Sequence, residues 1–318
     1  MKYRTSERFT VKGSNVTILA MATVLTFAAT EARAEELWDP YLRGVSAGQP
    51  AGALPPPGVY GELDNYLAEY SDYNSSGNKI PGTHLTALVE VPIVLWVPGI
   101  KILGANYAAA IGQPFDYTSF QPFQHDFGGG GGNLGTYNTV LVPYMLSWSL
   151  PHNFFIKNGL TILLPDASST MNDFYHGKVT NGGAPSGNAF TTIQPDLGVS
   201  WLYNGWDVSV GTHFTVNVSS DPYNDYHSAT QFSADYTVTK TIHQWTVGLT
   251  GSQENQLNND SENGVSVPGT KVSNYSIGPV AGYQFANGLG VTFIWNHGFG
   301  TRNDVAGDFF DFRLTTAF

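Results

Sequence analysis

Apolar and polar residues alternate along several stretches of the chain, most clearly over residues 206–219. The apolar positions there are Trp206, Val208, Val210, Phe214, Val216 and Val218. The same period of two returns in residues 140–148, 231–238 and 289–295. Because successive side chains of a strand point to opposite faces, each stretch predicts a β-strand with one apolar and one polar face.

Marking strands in this way predicts about twelve of them. We expect them at 59–72, 84–97, 100–112, 136–150, 153–165, 189–203, 206–219, 228–239, 242–254, 271–285, 288–297 and 307–318. Residues 85–111 could also be read as a membrane-spanning helix, but Pro92, Pro98 and Glu90 interrupt that run and favour two strands joined by a turn.

Long connections alternate with tight turns along the whole chain. The long ones are 73–83, 113–135, 166–188, 220–227, 255–270 and 298–306. Between them lie turns such as Asn204-Gly205, a strong two-residue hairpin signal. Long loops at one rim and short turns at the other indicate an all-β fold, an antiparallel up-and-down transmembrane barrel with both termini on the short-turn side.

The first residues have the features of an export signal. A basic start is followed by the apolar run 16–29 and by Ala32-Arg33-Ala34, which suits signal peptidase. The alternative, an N-terminal membrane anchor, is disfavoured because the run is short for a spanning helix. We therefore expect a signal peptide at 1–34 cleaved after Ala34, a periplasmic segment or small plug at 35–57, and a barrel at 58–318 in the Gram-negative outer membrane.

Charge and cysteine content exclude several classes of protein. Cleavage after Ala34 leaves nine basic and twenty-three acidic residues, a formal charge of −14. Such a chain repels nucleic acid, so no nucleic-acid partner is expected. The chain has no cysteine, which removes disulfide scaffolds and thiolate metal sites. We expect no metal and no cofactor.

The last residue, Phe318, follows an alternating strand that also carries Phe310, Phe312 and Leu314. A terminal aromatic residue of this kind resembles the signal that the barrel insertion machinery reads. The alternative is an ordinary edge strand that stops at Phe. We expect the insertion machinery, outer-membrane lipids and lipopolysaccharide as partners.

In lipid the sheet has to close and its apolar face has to point outward, which leaves the polar face to line a lumen. The pore-lining or substrate-binding candidates are Asp196, His213, Asn217, Asp235, Arg313, Leu141 and Met145. Pro143 is expected inward with the last two, and Leu88, Val94 and Trp96 could add to the apolar part of the lumen. Such patches favour passage of hydrophobic, amphipathic or aromatic small solutes.

Residues 113–135 combine aromatic residues with a run of glycines, 128–132. Exposed rings on a loop are costly unless they pack or bind something. We expect an inward-folded gating loop that carries Phe115, Tyr117, Phe120, Phe123 and Phe127. For residues 35–57, a plug and a loose periplasmic tail remain equal alternatives.

No spacing of side chains selects a catalytic group. His213 could serve as a base with one of many serines in a lipid-modifying enzyme, but a hydrogen-bonded lumen residue is the simpler interpretation. We therefore expect no enzyme. A structural or adhesin-like barrel with a filled lumen remains an alternative to a channel.

Several short runs resemble the meta-pathway phenol degradation family, which includes sphingosine-responsive, transporter-like barrels of the outer membrane. The matching runs are Pro56-Pro57-Gly58-Val59-Tyr60, Gly198-Val199-Ser200-Trp201-Leu202, residues 226–236, Gln253, Gln256, Gly278-Pro279 with Tyr283, and Phe318. The resemblance implies a barrel that helps hydrophobic or aromatic catabolic substrates across the outer membrane. It implies no catalytic residues.

Overall fold

A computed structural model describes residues 39–120, 132–178, 184–222 and 225–318; the side chains of residues 120, 174 and 175 are not described. The predicted signal peptide lies outside these residues. The described chain contains no helix that is both long and apolar enough to cross a bilayer. Its strands are β1 (Gly58–Tyr73), β2 (Leu85–Val97), β3 (Lys101–Ile102), β4 (Ala105–Gly112), β5 (Phe115–Phe120), β6 (Asn133–Thr136), β7 (Val140–Ser149), β8 (Phe154–Leu163), β9 (Thr192–Tyr203), β10 (Trp206–Asn217), β11 (Tyr226–His227), β12 (Gln231–Ile242), β13 (Trp245–Gln256), β14 (Ser261–Glu262), β15 (Val265–Ser266), β16 (Ser273–Gln284), β17 (Gly290–Arg302) and β18 (Asp304–Ala317). A short helix, α1, spans Met171–Tyr175.

The strands close into one antiparallel barrel. β4 and β5 together form one strand of the wall, since both pair with β2, and β6 with β7 forms the next. The first of these double strands is interrupted at Gln113 and Pro114, where proline has no N–H for the ladder. β18 pairs with β1 over the length of both strands, which closes the sheet. The predicted twelve-stranded barrel is confirmed.

Two of the predicted long connections are shorter in the structure. Residues 115–120 and 133–136 continue the barrel wall, so the predicted loop at 113–135 begins and ends inside strands. β17 runs to Arg302 and β18 begins at Asp304, which leaves Asn303 as the turn where residues 298–306 were expected to form a loop. The strand continues through Gly298 and Gly300.

The apolar faces of the strands point out of the barrel. Val208, Phe214 and Val238 are 41, 44 and 45 % exposed. The alternating neighbours Ser209 and Thr237 are buried, as are most inward polar side chains. An apolar exterior around a polar interior suits a barrel in lipid and is the reverse of a soluble sandwich.

Aromatic rings collect at the short-turn rim of the exterior. Trp206 and Trp245 begin β10 and β13, and Tyr203 ends β9. The indole of Trp245 packs edge-on against Tyr283, with ring centroids 4.8 Å apart. Amphipathic rings at this level suit the boundary between lipid and water.

The luminal candidate site

Residues 39–57 lie inside the barrel and are bonded to its wall. Asp235 of β12 accepts four of these bonds: from the Tyr41 hydroxyl at 2.7 Å, from the Ser46 hydroxyl at 2.8 Å, and from the backbone N–H groups of Gly44 and Ser46, both at 3.1 Å. A carboxylate is a strong acceptor, so this cluster fixes the middle of the segment. The described part of this segment is therefore held against the barrel wall by hydrogen bonds.

Arg313 of β18 binds the same segment from another part of the wall, four strands from β12 in the sheet order. Its guanidinium donates to the backbone carbonyls of Val45 and Ala47, both at 2.7 Å. It also binds the carboxylates of Asp64 at 2.5 Å and Asp311 at 3.2 Å. Arg313 is 1 % exposed. Its planar fork of donors can satisfy carbonyls and carboxylates together, which a lysine could not.

Further bonds extend along the length of the segment. Arg43 forms ion pairs with Glu254 at 3.1 Å and Asp304 at 2.9 Å, near the long-loop rim. Nearer the short-turn rim, the backbone of Gly52 donates to Ser200 and accepts from Ser147, both at 2.7 Å. The segment thus connects several walls of the barrel and narrows the lumen.

Three other sequence-predicted residues also face inward. The ring of His213 stacks on Tyr41, with centroids 4.3 Å apart. Asn217 accepts from the Thr192 hydroxyl at 2.7 Å. Asp196 is 8 % exposed and lies opposite Gly159 in the register of β8 and β9.

The strand register separates Leu141 from Met145. Met145 is opposite Gly159 and shares its inner face, whereas Leu141 is opposite Ile162, on the lipid side. The prediction that Leu141 and Pro143 point inward is wrong. The β7–β8 register shifts between Leu141 and Tyr144, and such a bulge reverses the alternation of faces.

The inner face of β2 is opposite to the predicted one. Leu88, Val94 and Trp96 point outward, at 40, 48 and 51 % exposed. The inner face carries what we call the luminal apolar stripe: Leu85, Ala87, Val89 and Val91, all at most 7 % exposed. Both faces of this strand carry several apolar residues, although Thr86 and Glu90 are on the outer one, so its apolar residues alone could not choose between them.

The aromatic residues of 113–135 do not form an inward loop in the described chain. Phe115 and Tyr117 lie on β5 and point outward, at 42 and 44 % exposed, while Asp116 and Thr118 between them are buried inside. The strand continues through these positions, so its alternation sends the rings to lipid. Phe123 and Phe127 lie outside the described residues, and the side chain of Phe120 is not described.

A different loop enters the lumen. Met171 and Ala184, from the loop between β8 and β9, belong to the same packed apolar cluster as the luminal apolar stripe. Phe190 of the same loop is 2 % exposed. The sequence predicts a long connection at 166–188, but its residues have no strand period, so nothing in the pattern predicts that this connection enters the lumen. Arg43, Glu62 and Asp64 were also missed as luminal groups.

The described inner wall and luminal segment are rich in acids. Their buried or paired carboxyl groups are Glu62, Asp64, Asp72, Asp116, Asp196, Asp207, Asp235, Glu254, Asp304 and Asp311. The cations facing them are Arg43, Arg313 and Lys157, the last opposite Ser147 in the register. The described residues hold no group of three or more His, Cys, Asp or Glu side chains arranged for a metal ion.

Comparison with known proteins assigns the family. Residues 71–314 match the profile of the family described as "Putative MetA-pathway of phenol degradation". The chain belongs to this family. No functionally curated protein matches the chain.

Solved structures are similar in fold. An outer membrane channel from Pseudomonas putida F1 matches with a TM-score of 0.71 at 12 % identity, over 84 % of this chain and 98 % of that one. The translocator domain of the autotransporter NalP from Neisseria meningitidis has a TM-score of 0.46 at 10 % identity, over 96 % and 98 %. The CymD monoaromatic hydrocarbon channel has 0.43 at 10 %, over 82 % and 89 %. The first likeness agrees with the apolar exterior in showing the fold of a transmembrane β-barrel.

Proposed function

We propose that the protein is a channel for passive uptake of hydrophobic, amphipathic or aromatic small molecules, without catalysis and without a cofactor. The observation that carries this proposal is the inner face of β2. Beyond the luminal apolar stripe it continues with Ile93, Leu95 and Val97, so one inner wall is apolar from the long-loop end of the strand to its short-turn end. Apolar lining is typical of sites for apolar ligands, whereas a route for ions or sugars would be polar throughout.

An open region lies at the short-turn rim, beside β9, β10, β12 and β13. At the short-turn rim a cleft of about 400 Å³ lies between Gly48, Pro50 and the turn that joins β9 to β10. This cleft supports an exit toward the periplasm. Because residues 39–57 fill the middle of the lumen, we propose that a solute passes between this segment and β2.

Uptake by whole cells tests the proposal. Cells of a porin-deficient Gram-negative host that express the full chain should take up labelled 2-phenylethanol faster than cells with an empty vector. They should take up a sugar of similar size no faster. Replacing Val89 by Asn should slow uptake about tenfold, because about 1.5 kcal/mol of apolar contact is lost from the path. Thr250→Asn, on the polar wall of β13 and outside the cleft at the short-turn rim, is the matched control and should leave the rate unchanged.

One observation favours the second candidate, a structural barrel with a filled lumen: residues 39–57 are hydrogen-bonded on several sides. In that case neither wild type nor variants would raise uptake of any solute above the empty vector. A sugar taken up as fast as 2-phenylethanol would contradict the proposal in another way, since it would indicate a general pore.

We also propose that Phe318 is the contact for the barrel insertion machinery, with a small solute and the surrounding lipid and lipopolysaccharide as the other partners. The Phe318 ring is 84 % exposed and its backbone N–H donates to Val59 at 2.9 Å. Deleting Phe318 should reduce the amount of folded protein in the outer membrane. Unchanged insertion would contradict this role.

A further inference from the structure

Asp116 is a buried carboxylate with an unused acceptor. It lies on the inner face of β5, is 2 % exposed, and accepts from the Thr118 hydroxyl through Oδ2 at 2.9 Å. Its other oxygen, Oδ1, forms no close hydrogen bond with a described residue, although the Ser186 side chain approaches the carboxyl group. None of the ion pairs found in the described chain includes Asp116. A buried acceptor left unsatisfied is costly, so a donor that binds there would be strongly stabilised.

The luminal apolar stripe runs beside this carboxylate. Val89 is directly opposite Asp116 in the register of β2 and β5, and Ala87 is opposite Thr118. Side chains of directly opposite residues start only ~5 Å apart. The site therefore offers an acceptor at one end and an apolar wall leading away from it.

Loop residues cover this place in the structure. Met171 and Ala184 pack with the stripe. The side chain of Ser186 lies over Gly135, which is itself opposite Asp116. The loop thus presents small apolar groups to the stripe and a hydroxyl near the carboxylate, the two features that an amphipathic solute would also present.

We propose that Asp116 and the luminal apolar stripe form a binding site for an amphiphile whose head group donates hydrogen bonds, above all an ammonium, and whose body lies on the stripe in place of Met171 and Ala184. The surplus of carboxyl groups over cations in the described lumen favours such a head group over a carboxylate. This inference rests on the proposed channel function and specifies which apolar solutes it selects.

Equilibrium binding tests the site with three probes of the same size: 2-phenylethylamine, 2-phenylethanol and phenylacetate. The purified full chain at neutral pH should bind the amine at least about tenfold more tightly than the carboxylate, with the alcohol between them. Asp116→Asn keeps the shape and removes the charge, and it should bring the amine and the carboxylate within about twofold. Asp207→Asn, another inward carboxylate, bonded to Ser209, is the matched control and should keep the preference.

Equal binding of the three probes would overturn the inference, and so would a preference that survives Asp116→Asn or is lost equally in Asp207→Asn. Electrophoretic mobility with and without boiling shows whether each variant is a folded barrel. Should Asp116→Asn not fold, Val89→Asn gives a second test: all three probes should weaken together, and unchanged binding would overturn the site. The channel function is tested separately, because uptake of the uncharged 2-phenylethanol by cells does not depend on the relative affinities for the three probes.

Discussion

Replacing Arg313 by Met should release residues 39–57 and destabilise the barrel. The guanidinium neutralises Asp64 and Asp311 inside the wall and holds the carbonyls of Val45 and Ala47. Removing one partner of a buried ion pair costs about 3–5 kcal/mol, because the remaining charges stay buried without compensation. Each lost hydrogen bond from the charged guanidinium costs ~1.5–3 kcal/mol, and part of this cost is already included in that of the broken ion pair.

Two measurements separate these effects. Limited proteolysis should cut residues 39–57 faster in Arg313→Met than in wild type, and the temperature at which the heat-modified electrophoretic shift occurs should fall. A variant that combines Arg313→Met with Glu62→Gln, Asp64→Asn and Asp311→Asn removes the unpaired charges. It should recover most of the thermal stability and still expose the segment. The reasoning is refuted if Arg313→Met leaves both the cleavage rate and the transition temperature unchanged.

Two further predictions concern the rim and the exterior. Asp260 lies in the connection between β13 and β16, where Ala229 and Tyr226 donate hydrogen bonds to its carboxyl group. Burial nevertheless raises the pKa of Asp260 to about 6, so the folded loop favours the protonated acid. Up to about 3 kcal/mol of folding stability, present below pH 4, is therefore lost as the pH rises through 6. The hydrogen-exchange protection factors of residues 226–270, which are corrected for the intrinsic pH dependence of exchange, should be lower at pH 7 than at pH 4.5, and Asp260→Asn should remove that difference; a difference in protection that persists in the variant would contradict this cause. On the exterior, Val210→Lys in mid-strand should cost about 2–4 kcal/mol of folding stability in lipid, whereas Val218→Lys at the rim should cost at most about 1 kcal/mol. Denaturant titration measures both costs, and equal values would mean that Val210 does not face lipid.

Much of the fold could be predicted from the alternation of apolar and polar residues. Successive side chains of a strand face lipid and lumen in turn, and these surroundings favour apolar and polar groups respectively. On β10 one face is Val and Phe and the other Ser, His and Asn, so the strand, its register and the inward position of His213 and Asn217 could all be predicted. The hairpin at Asn204-Gly205 has a local cause as well, since both residues have positive φ (48° and 75°) as the turn requires.

The candidate site was less predictable where the two faces of a strand do not differ clearly in polarity. β2 has apolar residues on both faces, so its apolar residues alone do not distinguish Val89 from Leu88. On β7 a one-residue shift at 142–143 reversed the faces, and Pro143 is the local signal that could have indicated this bulge. The loop between β8 and β9 and the bonds of residues 39–57 depend on contacts between distant parts of the chain, which periodicity does not contain.

Thiol protection tests most directly whether solutes travel along the inside of β2. The chain has no cysteine, so a single one can be placed at Val89, on the luminal apolar stripe, or at Val94, on the outer face of the same strand. The two variants are labelled with a small maleimide in the presence and absence of 2-phenylethanol. We predict that the solute slows labelling at position 89 several-fold and leaves position 94 unchanged. Equal protection at both positions, or none at position 89, would contradict the proposed path.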